Sequence, residues 1–227
     1  MKAFTAIILA SLIISVLIIV LPTRCYDEPS VGVKKGDWIE YDVNITGNPP
    51  AVHRNVTWMR IEVLQVYGTS FPVNLTVRFA NGTLDSSIWK FSFTEGNTEG
   101  WVIIPSGLGS GDTFFDNFSK TDKHITIQSQ EQKTVLGATR TVTYANDTYR
   151  DKQWDKATGV FIGSSEIFRN WSAYVTAVGT NMWSPQFLGL NQIALYTVAG
   201  TSIVLAVSLV SLVLVIERKR SETVDCC

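Results

Sequence analysis

Trp38-Ile-Glu-Tyr-Asp-Val-Asn-Ile45 alternates without interruption: Ile39, Tyr41, Val43 and Ile45 fall on one side, Glu40, Asp42 and Asn44 on the other. A side-chain period of two is that of a strand with one face in an apolar core and the other in water. The pattern returns downstream. Residues 54–67 set Met59, Ile61 and Val63 against Arg60 and Glu62, then switch parity at Leu64 and Val66, which predicts a bulge near Val63 or burial on both faces. From Phe71 to Ala80, Val73, Leu75, Val77 and Phe79 oppose Asn74, Thr76 and Arg78, and Asn81-Gly82 follows at once. That dipeptide favours a two-residue hairpin turn because both residues tolerate positive φ. The return strand then carries Trp89, Phe91 and Phe93 on one side.

Beyond Gly96–Gly100 the reading is less regular. Trp101–Ile104 predicts a short apolar strand, and Pro105–Ser119 is a stretch rich in glycine and phenylalanine. It reads as a surface loop tucked down by its aromatics, or as a lid over a cavity. His124–Gln132 alternates weakly, Thr134–Tyr144 is Thr-rich with a turn at Gly137, and Tyr149–Trp154 runs into the turn Asp155-Lys-Ala-Thr-Gly159. Val160–Phe168 and Trp171–Gly179 predict a closing hairpin. With about ten strands and no amphipathic helix, the domain is expected to be all-β and antiparallel. Its apolar face must be covered by the sheet itself, as a strongly curved sheet, a half-barrel or a sandwich.

Both flanks are apolar. Ile193–Ile216 holds 24 residues without a formal charge, about 36 Å as a helix and enough to cross a bilayer core of about 30 Å. Arg218-Lys219-Arg220 follows, so the tail, 217–227, is expected in the cytoplasm. Trp183, Phe187 and Tyr196 are expected to bracket the bilayer surface. At the other end, Lys2 precedes an apolar run over 3–21. Residues 1–24 read as an uncleaved signal anchor or as a cleaved signal peptide, and either sends residues 25–185 outside. Arg24 stands where a lipid-attachment motif at Cys25 would need a small residue.

The cysteines, Cys25, Cys226 and Cys227, all lie outside the strand pattern. That excludes a disulfide framework. The terminal pair reads as reduced thiols or as an S-acylated or prenylated end. Seven of the eleven asparagines open an Asn-x-Ser/Thr triplet: Asn44, Asn55, Asn74, Asn81, Asn117, Asn146 and Asn170. All seven lie between the apolar segments, where a glycosylation machinery would reach them, and they are the candidate modification sites.

Chemistry is sparse. A net charge of -1 gives no footprint for nucleic acid. His53 and His124 are far apart in polar context, and no phosphate loop or Gly-x-Ser-x-Gly elbow is present. Asp147, Asp151 and Asp155 recur every fourth residue without the Asp-x-Asp-x-Asp-Gly pattern of a calcium loop, and Asp112 and Asp116 flank the glycine-rich stretch. All five read as solvated loop acids, with a calcium site as the alternative. Trp58, Trp89, Trp101, Trp154 and Trp171 fall in strands and are expected in the core; Trp38, on the polar parity, is expected to cap its strand or meet a partner sheet. No catalytic, cofactor-binding or metal-ligating residue is assigned, and no cofactor is implied.

Taken together, GVKKGDWIEYDV (32–43), WMRIEVLQVYGTSFPVNLTVRFANGT (58–83), WVIIPSGLGSGD (101–112), VLGATRTVTYAN (135–146) and WDKATGVFIGSSE (154–166) resemble a broad group of uncharacterised archaeal membrane-anchored cell-surface β-domain proteins. The ordered set spans most of residues 31–180; the terminal Cys-Cys is not a feature of the group. The resemblance implies the topology and the fold and brings no site residues. The expected function is a non-enzymatic structural or recognition role at the cell surface, with the membrane and other envelope proteins as partners. The alternative is a carrier or receptor for an apolar, lipid-like ligand inside a curved sheet. A filled core favours the first; a cavity lined by Ile, Phe and Trp favours the second.

Overall fold

The computed structural model describes residues 29–51, 55–98, 102–116, 124–146, 150–186, 190 and 192–224. The expected signal segment, 1–24, lies outside them. Eleven strands run β1 (Trp38–Gly47), β2 (Val56–Val63), β3 (Ser70–Phe79), β4 (Leu84–Ser92), β5 (Thr113–Phe115), β6 (His124–Thr126), β7 (Ser129–Val135), β8 (Ala138–Asn146), β9 (Arg150–Asp155), β10 (Phe161–Ile167) and β11 (Trp171–Thr180). One helix among the described residues, α1 (Gln192–Val224), follows.

Nine strands form one antiparallel sheet in the order β4-β3-β2-β1-β11-β10-β9-β8-β7. It consists of two meanders, β1–β4 and β7–β11, joined where the first strand pairs with the last. The sheet is open, with β4 and β7 as its edges, so it does not close as a barrel. The expectation that the sheet must curl to cover itself missed another solution. The connection between β4 and β7 crosses the apolar face, carrying the two-stranded sheet β5-β6. Val102, Ile103, Ile104, Phe114 and Ile127 from this connection are buried in one cluster with Ile39, Ile61, Val73 and Phe161 from the sheet. Phe114 meets Trp154 edge-on at 6.0 Å, and Ile104 N–H donates to Gly159 O at 2.9 Å. The glycine-rich stretch is therefore a cover tucked down by Phe114.

Alternation explains the packing. On β1, Ile39 and Tyr41 are buried while Asp42 and Asn44 are exposed, and on β3, Phe71, Val73 and Leu75 are buried. Phe71 stacks on Phe91 at 5.4 Å and takes the edge of Phe93 at 5.2 Å. Each such ring contributes roughly 1.5–3 kcal/mol by leaving water. Tyr41 is fully buried and donates its hydroxyl to Phe161 O at 2.8 Å; burial pushes its pKa well up.

The turns follow their residues in part. Asn81-Gly82 lies in the connection between β3 and β4, which is longer than the two-residue turn the dipeptide favours: Phe79 N–H donates to Thr83 O at 3.0 Å, and of the two residues Gly82 alone has positive φ, 82°. Leu136 and Gly137 between β7 and β8 both have positive φ, 50° and 79°, as a two-residue turn matched to the sheet twist requires. Three expectations change. The parity switch after Val63 is the end of β2, and the register shift in that strand lies between Val56 and Trp58. Ile103 makes only an isolated bridge to Val160 in place of the strand expected at 101–104. Among the strand tryptophans Trp154 alone is fully buried, while Trp58, Trp89 and Trp171 are partly exposed and Trp101 lies outside the described residues.

Within α1, Ile193–Ser211 is long and apolar enough to cross a membrane. The helix continues to Val224, 33 residues in all, about 50 Å at 1.5 Å per residue.

Candidate functional site: the two ends of the sheet

Strand direction divides the domain into two ends. At one lie Trp38, Val63, Ser70, Val135, Ala138, Asp155, Phe161 and Thr180; at the other, Gly47, Val56, Phe79, Leu84, Asn146, Arg150, Ile167 and Trp171. The first is the exit end, because the chain leaves β11 there.

The exit segment is held by the sheet at several points. Asn181 Oδ1 accepts Trp38 N–H at 2.8 Å and its Nδ2 donates to Gly36 O at 2.9 Å. Trp183 Nε1–H donates to Val135 O at 3.2 Å. Gln186 N–H donates to Gly137 O at 2.7 Å, and Gln186 Oε1 accepts Thr139 N–H at 3.1 Å. Pro185 lies over Gly137, where an added Cβ would come within 2.9 Å of the proline ring. Trp183, expected at the bilayer surface, is thus engaged with the β domain. Five residues separate Gln186 from Gln192, the start of α1, a reach of at most about 20 Å over the six intervening Cα steps.

One ion pair supports this end. Asp155 is fully buried, and its carboxylate takes both Arg140 Nε–H and Nη2–H, at 2.7 and 2.8 Å. It also accepts Thr158 N–H at 2.9 Å and Thr158 Oγ–H at 2.7 Å. The Arg140 guanidinium sits 4.8 Å from the Trp183 ring centre, a cation–π contact. The turn Asp155–Gly159, the β8 strand and the exit segment are therefore tied by one carboxylate. The expected solvated acid is a buried structural one. Nothing in its spacing pointed to Arg140, which is paired only through the antiparallel register of β8 and β9.

Beside this pair lies an open cleft of about 660 Å³, lined by polar residues including Ser30, Gln132, Thr141 and Lys156. Its charged groups are already engaged: Arg140 with Asp155, and Lys156 Nζ with Gln130 at 2.9 Å. Of the other acids, Asp112 Oδ2 accepts Gly109 N–H at 2.8 Å, Asp116 is buried and Asp151 is exposed. Asp147 and His53 lie outside the described residues. Among the described residues no three His, Cys, Asp or Glu side chains group as metal ligands. At the β7 edge Tyr144 donates to Glu131. Burial, then this bond and the carboxylate charge, push the Tyr144 hydroxyl up to about 12.

The opposite end carries the sequons. Asn44 is in the far half of β1, Asn55 precedes β2, Asn81 is in the β3–β4 turn, Asn146 ends β8 and Asn170 is in the β10–β11 turn. All five are exposed. Asn74, in the middle of β3, is half-buried on the polar face, with Nδ2 3.5 Å from Thr76 Oγ1; Asn117 lies outside the described residues. The polar face of β1–β3 is laced by Arg60, which bonds Glu40 at 2.9 Å and Glu62 at 3.4 Å and stacks 4.4 Å over Trp38. Gly179, opposite Glu40, lies beside that ring. Arg78 stacks 5.1 Å over Trp58. Trp38 is thus a platform for a cation on the open face, where a partner sheet was one expectation.

No protein-family model and no curated protein matches this chain.

Proposed function

We propose that this chain is a membrane-anchored, N-glycosylated surface domain of the kind the archaeal resemblance implies, with a structural or recognition role. The observation that carries this reading is the opposition of the two ends. The exit end is strapped to a segment that begins an apolar helix six residues later. Five sequons crowd the other end. With α1 in a bilayer and Arg218–Arg220 on the cytoplasmic side, the sequon-bearing end points away from the membrane. In each modified triplet Asn Nδ2 bonds to the anomeric carbon of a lipid-phosphate-linked oligosaccharide. The carbon–oxygen bond to phosphate breaks, the phosphate leaves with the bonding pair, and the amide gives up one proton.

The carrier reading is the weaker of the two. The face that would enclose an apolar ligand is occupied by Val102, Ile104, Phe114 and Ile127 of the crossing segment. Recognition by envelope partners would use the open face around Trp38, Arg60, Trp58 and Arg78.

Glycopeptide mass spectrometry on the full chain from a glycosylating archaeal host tests the proposal. It expects glycans at the sequon asparagines, the five at the far end together with Asn74 and Asn117; unmodified peptides at all seven would overturn it. Native mass spectrometry of the same protein in detergent separates the two roles, since a retained lipid-sized mass would revive the carrier.

A further inference from the structure

Several large apolar side chains of the β domain are exposed, among them Tyr67, Leu84, Ile88, Ile167, Tyr174 and Val178. Tyr67 and Val178 lie in the exit half of the domain. The other four sit beside sequons, two of them in direct cross-strand register with the asparagine itself.

Asn44 pairs with Tyr174 across β1 and β11, and Asn74 pairs with Ile88 across β3 and β4. Both pairs are on the polar face: Asn44 lies between inward Val43 and Ile45, and Asn74 between buried Val73 and Leu75. Ile167 faces Ser172, the hydroxyl residue of the Asn170 triplet, and Leu84 follows the Asn81 triplet directly. Directly opposed residues on one face of an antiparallel pair have Cβ atoms about 4.5–5.5 Å apart. A sugar attached at Asn Nδ2 therefore begins within van der Waals reach of the opposed side chain. A pyranose ring presents C–H groups on one face, which suit an aromatic ring or a branched aliphatic chain.

We infer that the N-glycans on Asn44 and Asn74 fold back onto Tyr174 and Ile88, so that the first sugars form the missing cover of these apolar side chains. The inference rests on the glycosylation proposed above. The contact itself forms no further bond. The glycans are then part of the packed structure at these two positions and mere solvated appendages at a site such as Asn146, whose cross-strand neighbour is Asp151.

The test uses the full chain from the glycosylating host. Hydroxyl-radical footprinting is expected to label Tyr174 several-fold less in the wild type than in Asn44→Gln. Melting temperature is expected to fall by about 2–4 °C in Asn44→Gln, the shift that 1 kcal/mol produces in a domain of this size. In a Tyr174→Ser background the same substitution is expected to change it little, and Asn146→Gln is expected to leave it unchanged. Asn74→Gln with Ile88→Ser repeats the cycle. Glycopeptide analysis keeps the two ideas apart. If Asn44 and Asn74 carry no sugar, the glycosylation at these sites fails. If they carry sugar, yet Tyr174 labels equally with and without it and the double variants are additive, the packing inference alone is overturned.

Discussion

Replacing Asp155 by alanine is the perturbation that most directly probes how the exit end is held. The carboxylate is fully buried and accepts four hydrogen bonds, two from Arg140 and two from Thr158. Removing one partner of a buried ion pair costs about 3–5 kcal/mol, because the remaining charge keeps its desolvation penalty. Arg140 offsets part of this, since its side chain is 22% exposed and can turn toward solvent. Thr158, half-buried, loses the acceptor of its N–H and of its hydroxyl together. A loss near 3–5 kcal/mol corresponds to about 6–20 °C in melting temperature for a domain of this size. Thr158→Val, which removes one bond to a charged acceptor, should cost about 1.5–3 kcal/mol. Thermal and denaturant unfolding of the full chain in detergent, followed by near-ultraviolet signal, measures both. Asp155→Ala should also expose the chain at 184–186 to protease, since Arg140 no longer holds its place over Trp183. A variant within 1 kcal/mol of wild type, with unchanged cleavage, would refute the view that this carboxylate organises the exit end.

Gly159→Ala should destabilise severely, since the residue sits at φ 71° and a Cβ there would come within 1.9 Å of Ile104 O; denaturant unfolding should show a loss above about 2 kcal/mol from the left-handed backbone and the lost cover. Alkaline titration by tyrosine absorbance should leave Tyr144 and the fully buried Tyr41 protonated after the exposed tyrosines have ionised. Because both folded-state values are raised, their contribution to stability is complete below about pH 10. That contribution is lost as pH rises through the folded values, about 12 for Tyr144; ordinary titration of all seven tyrosines would contradict this. Val204→Arg, in the middle of the apolar part of α1, should lower the membrane-integrated fraction in a carbonate-extraction assay, given a cost of about 2.5–3.5 kcal/mol for arginine at a span centre.

The strands were legible because their signal is local. Ile39 and Tyr41 against Asp42 and Asn44 report a half-buried strand wherever it pairs, and Asn81-Gly82 reports its own turn. What covers the apolar face was not local. Phe114 reads as a loop residue and Ile104 as the end of a short strand, because their partners, Trp154 and Gly159, are 40 or more positions away. The same holds at the exit end, where Asp155 meets Arg140 and Trp183 meets Val135 only through the strand order. Trp58 shows a further limit: a tryptophan in a strand is expected in the core, while Arg78 on the same face shelters this one in the open. The sequons could be read as triplets, but their gathering at one end appears only once β1, β8 and the three turns are set side by side.

The pairing of β1 with β11 has a consequence for biogenesis. Thr180 Oγ bonds Trp38 O across 142 residues of chain, and this contact lies at the centre of the sheet, between the two meanders. Each meander can form from neighbours in sequence, but both keep an unpaired strand until β11 has been made. Long-range closure of this kind is slow, and it leaves two open edges while the chain is still being synthesised. Since β11 ends only twelve residues before α1 begins, the sheet is completed at nearly the moment the anchor segment follows. On the proposed reading of α1 as an anchor, assembly of the domain and its fixation in a membrane would be coupled in time, and factors that shield strand edges during export would act within that interval.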